Sequence, residues 1–589
     1  MKTRDVKVTE FWRDIPAVVE YEVLSKAVFF GVVLVYKWIT GFMLWNLGRP
    51  AFTSGDLPYL LRSWQGWLLV LSGFMLLVLY SVFDINATIL ISDRLIRRKP
   101  LNIYGMLKEA FKRMKNFNSP LGVLVILYVS LIVPLTGLSV GISLTSNFVI
   151  PEFILSVING NIVLRIAYNI VLLVMTALGI IYIFTFHFAI LKNMKVRQAM
   201  KASRRYVKEN WKEIFTRYAL FIVKTLGIFV LLILAAYYLP NALVKIIPAD
   251  IVTKRALMLF FDGIAAIVLT VASLFFIYAL MLKLTLIFKS MTSDEEVEYK
   301  PIYKNRKPLW ISAIVLLVIG SGVLSVYLAN NFDEIFPAKS SVEVIAHRGG
   351  GTLANENTVV SLDAAVEYGA KYSEIDVQRT KDGHYIINHD DTFERCCGDP
   401  RTPGEMTLAE IKQLRVKDSN NPLAEDVEVA TMEEILDAAK GRIGLYIELK
   451  GSSADEQMVD DVYQMVIERD MLQEVKFISL KYELIDYIET TYPEALTGYL
   501  CYFSFGDVAK LNCDELLLEA ETATSSNIEK IKAANKKVNA WTVNTVNGMV
   551  EFLSSDADGI ITDEVALAQL VRILFTERTD ELRVLNRIL

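Results

Sequence analysis

Two rhythms of apolar and polar positions divide this chain. As far as about residue 330, long uninterrupted apolar runs are separated by short polar stretches. Beyond it the runs shorten and alternate with segments of helical period. The long runs lie near 25–46, 66–92, 121–142, 162–191, 217–239, 256–289 and 309–328. A bilayer crossing needs roughly 20 apolar residues, so the pattern predicts about seven membrane-spanning helices. Those at 66–92 and 256–289 are long enough to tilt or to extend past the bilayer. The first run starts late and has no small-residue cleavage site after it, so it reads as a retained anchor and not a cleavable signal.

From Val342 the pattern predicts strands at 342–347, 372–378, 384–389, 443–449, 475–480, 496–501, 515–519, 538–543 and 558–562. Helical segments fall between most of them, at 361–369, 407–414, 431–439, 455–469 and 527–535. Repeated βα units point to a parallel sheet, and their number to an α/β TIM barrel, (β/α)8. Nine strands are one too many. The runs 372–378 and 384–389 are joined only by the turn around Lys381, Asp382 and Gly383. Parallel neighbours need a longer crossover, so these two should form an antiparallel hairpin with one member off the barrel. The expected organisation is a multi-span α-helical membrane domain over 1–335, a barrel over 342–575 and a C-terminal tail over 576–589.

Composition agrees with this division. The chain of 589 residues is 53% hydrophobic, with a mean hydropathy of +0.37, which excludes an ordinary soluble protein. Through residue 340 there are 37 Lys/Arg against 20 Asp/Glu; after it, 24 against 46. A basic first half suits anionic lipid headgroups, and nothing in it argues for nucleic acid. The basic residues gather at the N-terminus (Lys2, Arg4, Lys7, Arg13), in the second loop (Arg94 to Lys115), the fourth (Lys192 to Arg217) and the end of the sixth (Lys304, Arg306, Lys307). The loop at 143–161 has no Lys or Arg, and those near 47–65 and 240–255 have few. By the positive-inside rule the N-terminus is cytoplasmic and everything after residue 328 is outside. All four cysteines, Cys396, Cys397, Cys501 and Cys513, lie in that outer part. The adjacent pair leaves the disulfide pairing open, and free buried thiols are an equal reading.

Within the membrane half, basic and apolar residues interleave at helical spacing in 93–118 and 192–216. These segments read either as amphipathic helices on the inner membrane surface or as plain positive-inside determinants. Lys37, Asp84, Arg165, Lys224, Asp262 and Lys283 fall inside the runs. Most are near enough to a span end to snorkel, while Asp262 and Lys224 are deep enough to pair. A transport or lipid-conduit role is the minor reading of these charges.

The chemistry gathers in the second half. The chain has four histidines, His187, His347, His384 and His389. His347 and Arg348 end the first barrel strand; Glu374 and Asp376, two apart, share one face of the second; Glu448 and Lys450 repeat that spacing, and Asp563 follows the last strand. Catalytic groups in such barrels collect at the C-terminal ends of strands. Three carboxylates converging there suit a hard divalent cation, Ca²⁺ or Mg²⁺. His347 and His389 suit an acid and base pair. Arg348 and Lys450 suit phosphate, one as a bidentate fork and one as a point charge. His384 alternates away from His389 and reads as structural, and His187 lies inside a span.

In order, HRGG, ENT, EIDVQRTKDGHYIINHD, IELK, AWTVN and GIITDE resemble the glycerophosphodiester phosphodiesterase family over roughly 342–570. The seven-span half resembles, by layout, the membrane domain that precedes this catalytic domain in one branch of the family. The resemblance implies a TIM barrel cleaving glycerophosphodiesters to glycerol phosphate and an alcohol. It assigns metal binding to Glu374, Asp376 and Glu448, and acid and base roles to His347 and His389. It assigns phosphate contacts to Arg348 and Lys450, the metal and substrate end to Glu356 and Asn357, and the glycerol pocket to Trp541. It also implies attack by the neighbouring glycerol hydroxyl and a cyclic phosphate that water opens. Two departures bear on substrate fit: the Cys pair in DDTFERCCGDP, and Leu480 after Ser479 where the family often has an aromatic.

The leading expectation is therefore a membrane-anchored, outward-facing phosphodiesterase. Its substrate would be a deacylated phospholipid, an outer-leaflet lysolipid or a polyglycerol-phosphate polymer, with membrane lipids as neighbours. A phospholipase of the C or D type acting on intact lipid is one alternative. A lipid transporter or sensor whose barrel only binds ligand is another. Oligomeric state is not readable from the chain.

Overall fold

The computed structural model describes residues 15–46, 50–56, 62–97, 103–128, 158, 161–292, 307–338 and 340–588. Contacts divide the chain into two compact units. One holds Met1–Trp38, Leu68–Ile150 and Ile154–Phe332; the other holds Ile39–Trp67, Pro151–Phe153 and Asp333–Leu589.

The first unit is helical. Its elements include α1 (Ile15–Asn46), α2 (Trp64–Ile96), α3 (Ile103–Arg113), α4 (Pro120–Leu127), α5 (Ile162–Ile181), α6 (Thr185–Leu191), α7 (Val196–Ile233), α8 (Leu239–Ile246), α9 (Ile251–Thr292) and α10 (Lys307–Asn330). Among the described residues five helical stretches are long and apolar enough to cross a membrane: Val23–Asn46, Trp64–Ile96, Ile162–Leu191, Val196–Ile246 and Ile251–Ser290. A shorter apolar helix, Ile314–Asn330, coincides with the expected last span. The expected span at 121–142 is described only as far as Tyr128. Most of the loop at 143–161, with Lys2, Arg4, Lys7, Arg13, Lys99, Lys304 and Arg306, lies outside the described residues. Leucine, isoleucine and valine side chains such as Leu173, Leu231 and Leu316 point outward, as a helix facing lipid requires.

Three of the polar groups inside this unit, Asp84, Asp262 and His187, are tied to neighbours. Asp84 accepts hydrogen bonds from Tyr21 Oη (2.7 Å) and Ser25 Oγ (3.0 Å). Asp262 accepts one from Asn241 Nδ2 (2.7 Å). His187 meets Thr285 Oγ1 through Nε2 at 3.0 Å and packs between Phe184 and Phe288, so it is a core residue. Of the two basic loops, the first carries the separate helix α3, and the second runs unbroken into the apolar part of α7.

The second unit contains the barrel. Its strands are β2 (Glu343–Ala346), β3 (Tyr372–Arg379), β4 (Tyr385–Ile387), β5 (Gly444–Leu449), β6 (Val475–Ser479), β7 (Leu496–Cys501), β8 (Ser504–Gly506), β9 (Glu515–Glu519), β10 (Lys537–Trp541) and β11 (Gly559–Thr562), with β1 (Ala51–Thr53) preceding them in the chain. Parallel pairing runs β2, β3, β5, β6, β7, β9, β10, β11 and back to β2, which closes eight strands into a TIM barrel. β4 lies antiparallel on β3, so the hairpin partner is the strand left off the barrel. Helices α11 (Val359–Glu367), α12 (Met432–Ala439), α13 (Glu456–Glu468), α14 (Tyr482–Thr491), α15 (Ser525–Ala533), α16 (Val546–Leu553) and α17 (Val565–Thr576) cover it. Five of the seven start at residues whose side chains accept from the first turn: Thr358, Thr431, Asp455, Thr524 and Thr545.

Alternate strand residues divide the core. One set, including Val344, Ile375, Ile447, Phe477 and Leu516, packs outward under the helices. The other, including Ile345, Tyr446, Ile478, Leu500, Leu517 and Ile561, fills the barrel interior. Within that interior sits a buried ion pair, Lys476 Nζ to Glu515 Oε1 at 2.6 Å. Tyr446 Oη and Asn539 Nδ2 donate to Glu515 Oε2 at 2.8 and 3.0 Å, which satisfies the second oxygen.

Candidate active site

His347, Lys450, Trp541 and Asp563 stand at the C-terminal ends of strands, Glu374 and Asp376 lie inside β3, and Glu356 and Asn357 lie in the loop after β2. His347 follows β2, and its Nδ1 lies 2.6 Å from Asp563 Oδ1, just past β11. Asn544 holds that carboxylate in turn, donating from Nδ2 to Asp563 Oδ2 (2.7 Å) and accepting from Asp563 N (2.9 Å). His389 repeats the arrangement: its Nδ1 lies 2.7 Å from Asp390 Oδ1, and Arg395 Nε donates to Asp390 Oδ2 at 2.7 Å. A carboxylate on Nδ1 fixes the ring and directs Nε2 to other work. His384 is exposed at the hairpin turn.

The two imidazoles are pushed apart. Burial pulls His347 down, but the charge and hydrogen bond of Asp563 raise it above the ordinary range. Burial lowers His389, aided by Arg348 and Lys450 and only partly offset by Asp376 and Asp390. One ring is thus biased towards imidazolium and the other towards neutral imidazole.

Glu374, Asp376 and Glu448 form a buried triad, each offering a carboxylate oxygen within 4.8 Å of the others. Glu374 and Asp376 share the inner face of β3, and Asp376 registers with Glu448 on β5. Glu374 Oε2 accepts from Arg348 N at 2.8 Å, while its buried Oε1 has no hydrogen-bond partner among the described residues. Asp376 accepts from Asn357 Nδ2 (2.8 Å) and Lys450 Nζ (3.1 Å); Lys450 Nζ also reaches Glu448 Oε2 at 3.2 Å. Burial and the neighbouring carboxylate push Glu374 up to about 8. Burial likewise takes Glu448 to about 7. Asp376 is buried too, but Lys450, His389 and Arg348 hold it below the usual range. Three acids sharing one dry pocket repel one another, and a hard divalent cation is the group that would relieve both the repulsion and the orphan oxygen. The residues fit such an ion.

The phosphate-side groups stand around the triad. Arg348, with φ of 49° in the left-handed region, keeps its Nε buried and without a partner among the described residues. Its Nη1 is 3.5 Å from Glu356 Oε1. Glu356 is also gripped by Arg395, Nη1 to Oε2 at 2.7 Å and Nη2 to Oε1 at 2.6 Å. Asn357 likewise has φ of 58°, and such strained backbone persists where the surroundings enforce it. The glycine run makes this loop possible. A Cβ on Gly349 would lie 2.1 Å from Ser361 Oγ, and one on Gly351 would lie 2.1 Å from Asp563 O. Trp541, at the end of β10, donates Nε1 to Leu517 O (2.8 Å) and packs with Leu480 against the interior cluster.

Three groups of this site were not assigned a part in advance. Asn544 lies inside the quoted AWTVN, which was its only signal. Arg395, in the short helix Glu394–Cys397, carried none, and Glu519, buried at the end of β9, carried only its place at a strand end. All four cysteines are free thiols, with Cys396 Sγ 3.5 Å from Glu356 Oε1.

Both halves of the chain are similar to known proteins. Residues 347–567 match the glycerophosphoryl diester phosphodiesterase family, and residues 6–326 match the membrane domain of glycerophosphoryl diester phosphodiesterase. The glycerophosphodiester phosphodiesterase of Caldanaerobacter subterraneus is 29% identical over 240 residues, spanning 39% of this chain and 97% of that one. That of Bacillus subtilis is 30% identical over 150 residues, 23% of this chain and 50% of that one. Among solved structures, an Oleispira antarctica phosphodiesterase in complex with the product sn-glycerol-3-phosphate is 26% identical. It covers 39% of this chain and 96% of that one, with a TM-score of 0.35. The chain belongs to the glycerophosphoryl diester phosphodiesterase family, and it is a membrane protein and an enzyme that hydrolyses glycerophosphodiesters.

Proposed function

We propose that this enzyme uses the Glu374, Asp376 and Glu448 triad to hold Ca²⁺ or Mg²⁺ and cleaves its substrate with His347 and His389 as acid and base. The observation that carries the reading is the pair of histidines, each held at Nδ1 by its own carboxylate and biased to opposite protonation states. When bound, the cation supplies Lewis-acid polarisation of the phosphoryl group and a template for its oxygens. His389, neutral, takes the proton of the attacking glycerol hydroxyl at Nε2. His347, protonated, gives a proton to the departing alcohol oxygen, and the roles reverse when water opens the cyclic phosphate. Arg348 and Lys450 carry the phosphate charge, with the unpartnered Arg348 Nε as the donor best placed to gain from it. Glu356 and Asn357 shape the metal and substrate end, the first by steering Arg348 and the second through Asp376. Trp541 lines the glycerol pocket.

The barrel acts outside the membrane, with the N-terminus cytoplasmic. Two observations support this: the basic loops alternate as the positive-inside rule requires, and β1, from the loop after the first apolar helix, pairs with β8 of the barrel unit. The latter supports a shared side for that loop and the barrel, which an odd number of spans, seven, would give. A membrane half larger than an anchor favours a lipid-linked or polyglycerol-phosphate substrate. The test is product analysis of the full chain on glycerophosphodiesters, lysolipids and polyglycerol phosphate. Glycerol phosphate as product supports the reading; diacylglycerol or phosphatidic acid from intact lipid moves the enzyme to phospholipase chemistry.

A further inference from the structure

A piece of the N-terminal half of the sequence is built into the barrel unit. Residues Ala51–Thr53 pair antiparallel with Ser504–Gly506, the strand that follows the fifth barrel strand. The seam continues on both sides. Asp507 N donates to Pro50 O (3.1 Å), Ser54 N to Phe503 O (3.1 Å) and Tyr502 N to Ser54 Oγ (3.2 Å). Thr53 Oγ1 bonds Tyr499 Oη, and Asp56 Oδ2 accepts from both Thr53 N and Thr53 Oγ1. The segment is not a surface attachment. Phe52 is 0% exposed and Thr53 1%, and Ala51 belongs to the same core cluster as Tyr499, Cys501 and Val508. Gly506, with φ of +105°, lets the chains approach; a Cβ there would lie 2.6 Å from Pro50 O.

The seam sits on the catalytic rim. Tyr499 and Cys501 are near the C-terminal end of β7, and Leu480 directly follows β6. Gly55 lies so close to that rim that an added Cβ would be 2.5 Å from Leu480 O and 3.0 Å from Tyr499 Oη. Leu480, in turn, packs with Trp541 against the interior cluster. It is also the position where this chain departs from the aromatic often found in the family. A wall residue held from behind by a segment hundreds of positions away differs from one held by its own loop, because the segment's seating controls it.

We infer that residues 50–56 are a positioning segment of the active-site mouth: seated on the β7–β8 turn, they hold Leu480 in the wall it shares with Trp541 and so set the fit of the glycerol end of the substrate. The inference rests on the reading of Trp541 as a glycerol-pocket residue. It makes the catalytic unit two sequence-distant pieces, 50–56 together with 342–575.

Two measurements on the full chain test it. Thr53→Cys with Ser504→Cys, mildly oxidised, should give a disulfide-linked 53–504 peptide by mass spectrometry; its absence overturns the pairing. Gly55→Val should raise KM for glycerophosphodiesters about tenfold, the low end of what one lost apolar contact in a substrate pocket is worth. The inhibition constant of glycerol 3-phosphate should rise by the same factor while kcat holds, and Gly55→Ala should do less of both. Unchanged KM and inhibition constant in Gly55→Ala, or in Gly55→Val if it folds, overturn the inference, since a purely structural segment would move only the melting temperature. Trp541→Ala separates the two readings. If it leaves glycerol 3-phosphate inhibition unchanged, the pocket reading itself is wrong. If it weakens inhibition but the Gly55 variants do not, only the positioning role falls.

Discussion

His347 and His389 each carry a carboxylate at Nδ1 yet are opposite in charge bias, and the difference comes from what surrounds each ring. Asp563 sits against His347 with its charge intact, held by Asn544, whereas Asp390 shares its charge with Arg395. Because Asp563 raises His347, the imidazolium persists to higher pH than a free histidine would allow. Asp563→Asn removes that support, so the acid form is lost earlier on raising the pH. The alkaline limb of the kcat/KM profile should then move to lower pH, as read from rates across the pH range; an unmoved limb argues against His347 as the acid. His389→Ala should lower kcat by about 10²–10⁴-fold, the range of general acid–base catalysis, in a steady-state assay. At this scale the sequence was readable where chemistry sits in one motif: HR, NHD and IELK bring their groups to or just past a strand end, and EID sets two carboxylates on one face of β3. Arg395 and Asn544 were not, because their parts depend on which loops meet across the barrel mouth, and no local spacing encodes that.

At the scale of elements, the alternation of apolar residues was enough to place eight barrel strands and the hairpin strand. The turn at Lys381–Gly383 was enough to say that one of nine stood apart. β1 escaped, since a three-residue strand in a loop has neither period nor length to mark it. The interior ion pair was also invisible as such. Lys476 and Glu515 lie on separate strands, and only barrel closure brings them within 2.6 Å. Burial lowers Lys476, and Glu515 with Tyr446 compensates it. Lys476→Met strands a buried carboxylate, so it should cost about 3–5 kcal/mol of stability. Denaturant unfolding of the full chain in detergent should register that loss, and a change below about 1 kcal/mol would mean the pair is not the staple it looks.

For the whole molecule, the proposed orientation rests on charge asymmetry and span count, and it predicts opposite exposure of the two ends. A cysteine at Leu423, which is 95% exposed on the barrel unit, should react with an impermeant maleimide in intact cells. One at Lys201, in the basic stretch of α7, should react only after permeabilisation. The reverse result would turn the enzyme to face the cytoplasm. Helices coincide with most of the predicted spans because an apolar run of bilayer length has few other stable fates. What the membrane half does beyond anchoring was not legible, since apolar helices look alike whether they hold a lipid or only one another.

Metal-assisted cleavage by the histidine pair beside the acidic triad is tested by following release of glycerol phosphate from a glycerophosphodiester by the purified full chain. The release is compared with Ca²⁺ or Mg²⁺ present, after chelation, and in His347→Ala. Glycerol phosphate should form with metal, be lost on chelation and recover when metal is restored, and be lost in His347→Ala whatever the metal. Release that continues through chelation, or that survives His347→Ala, would contradict this mechanism.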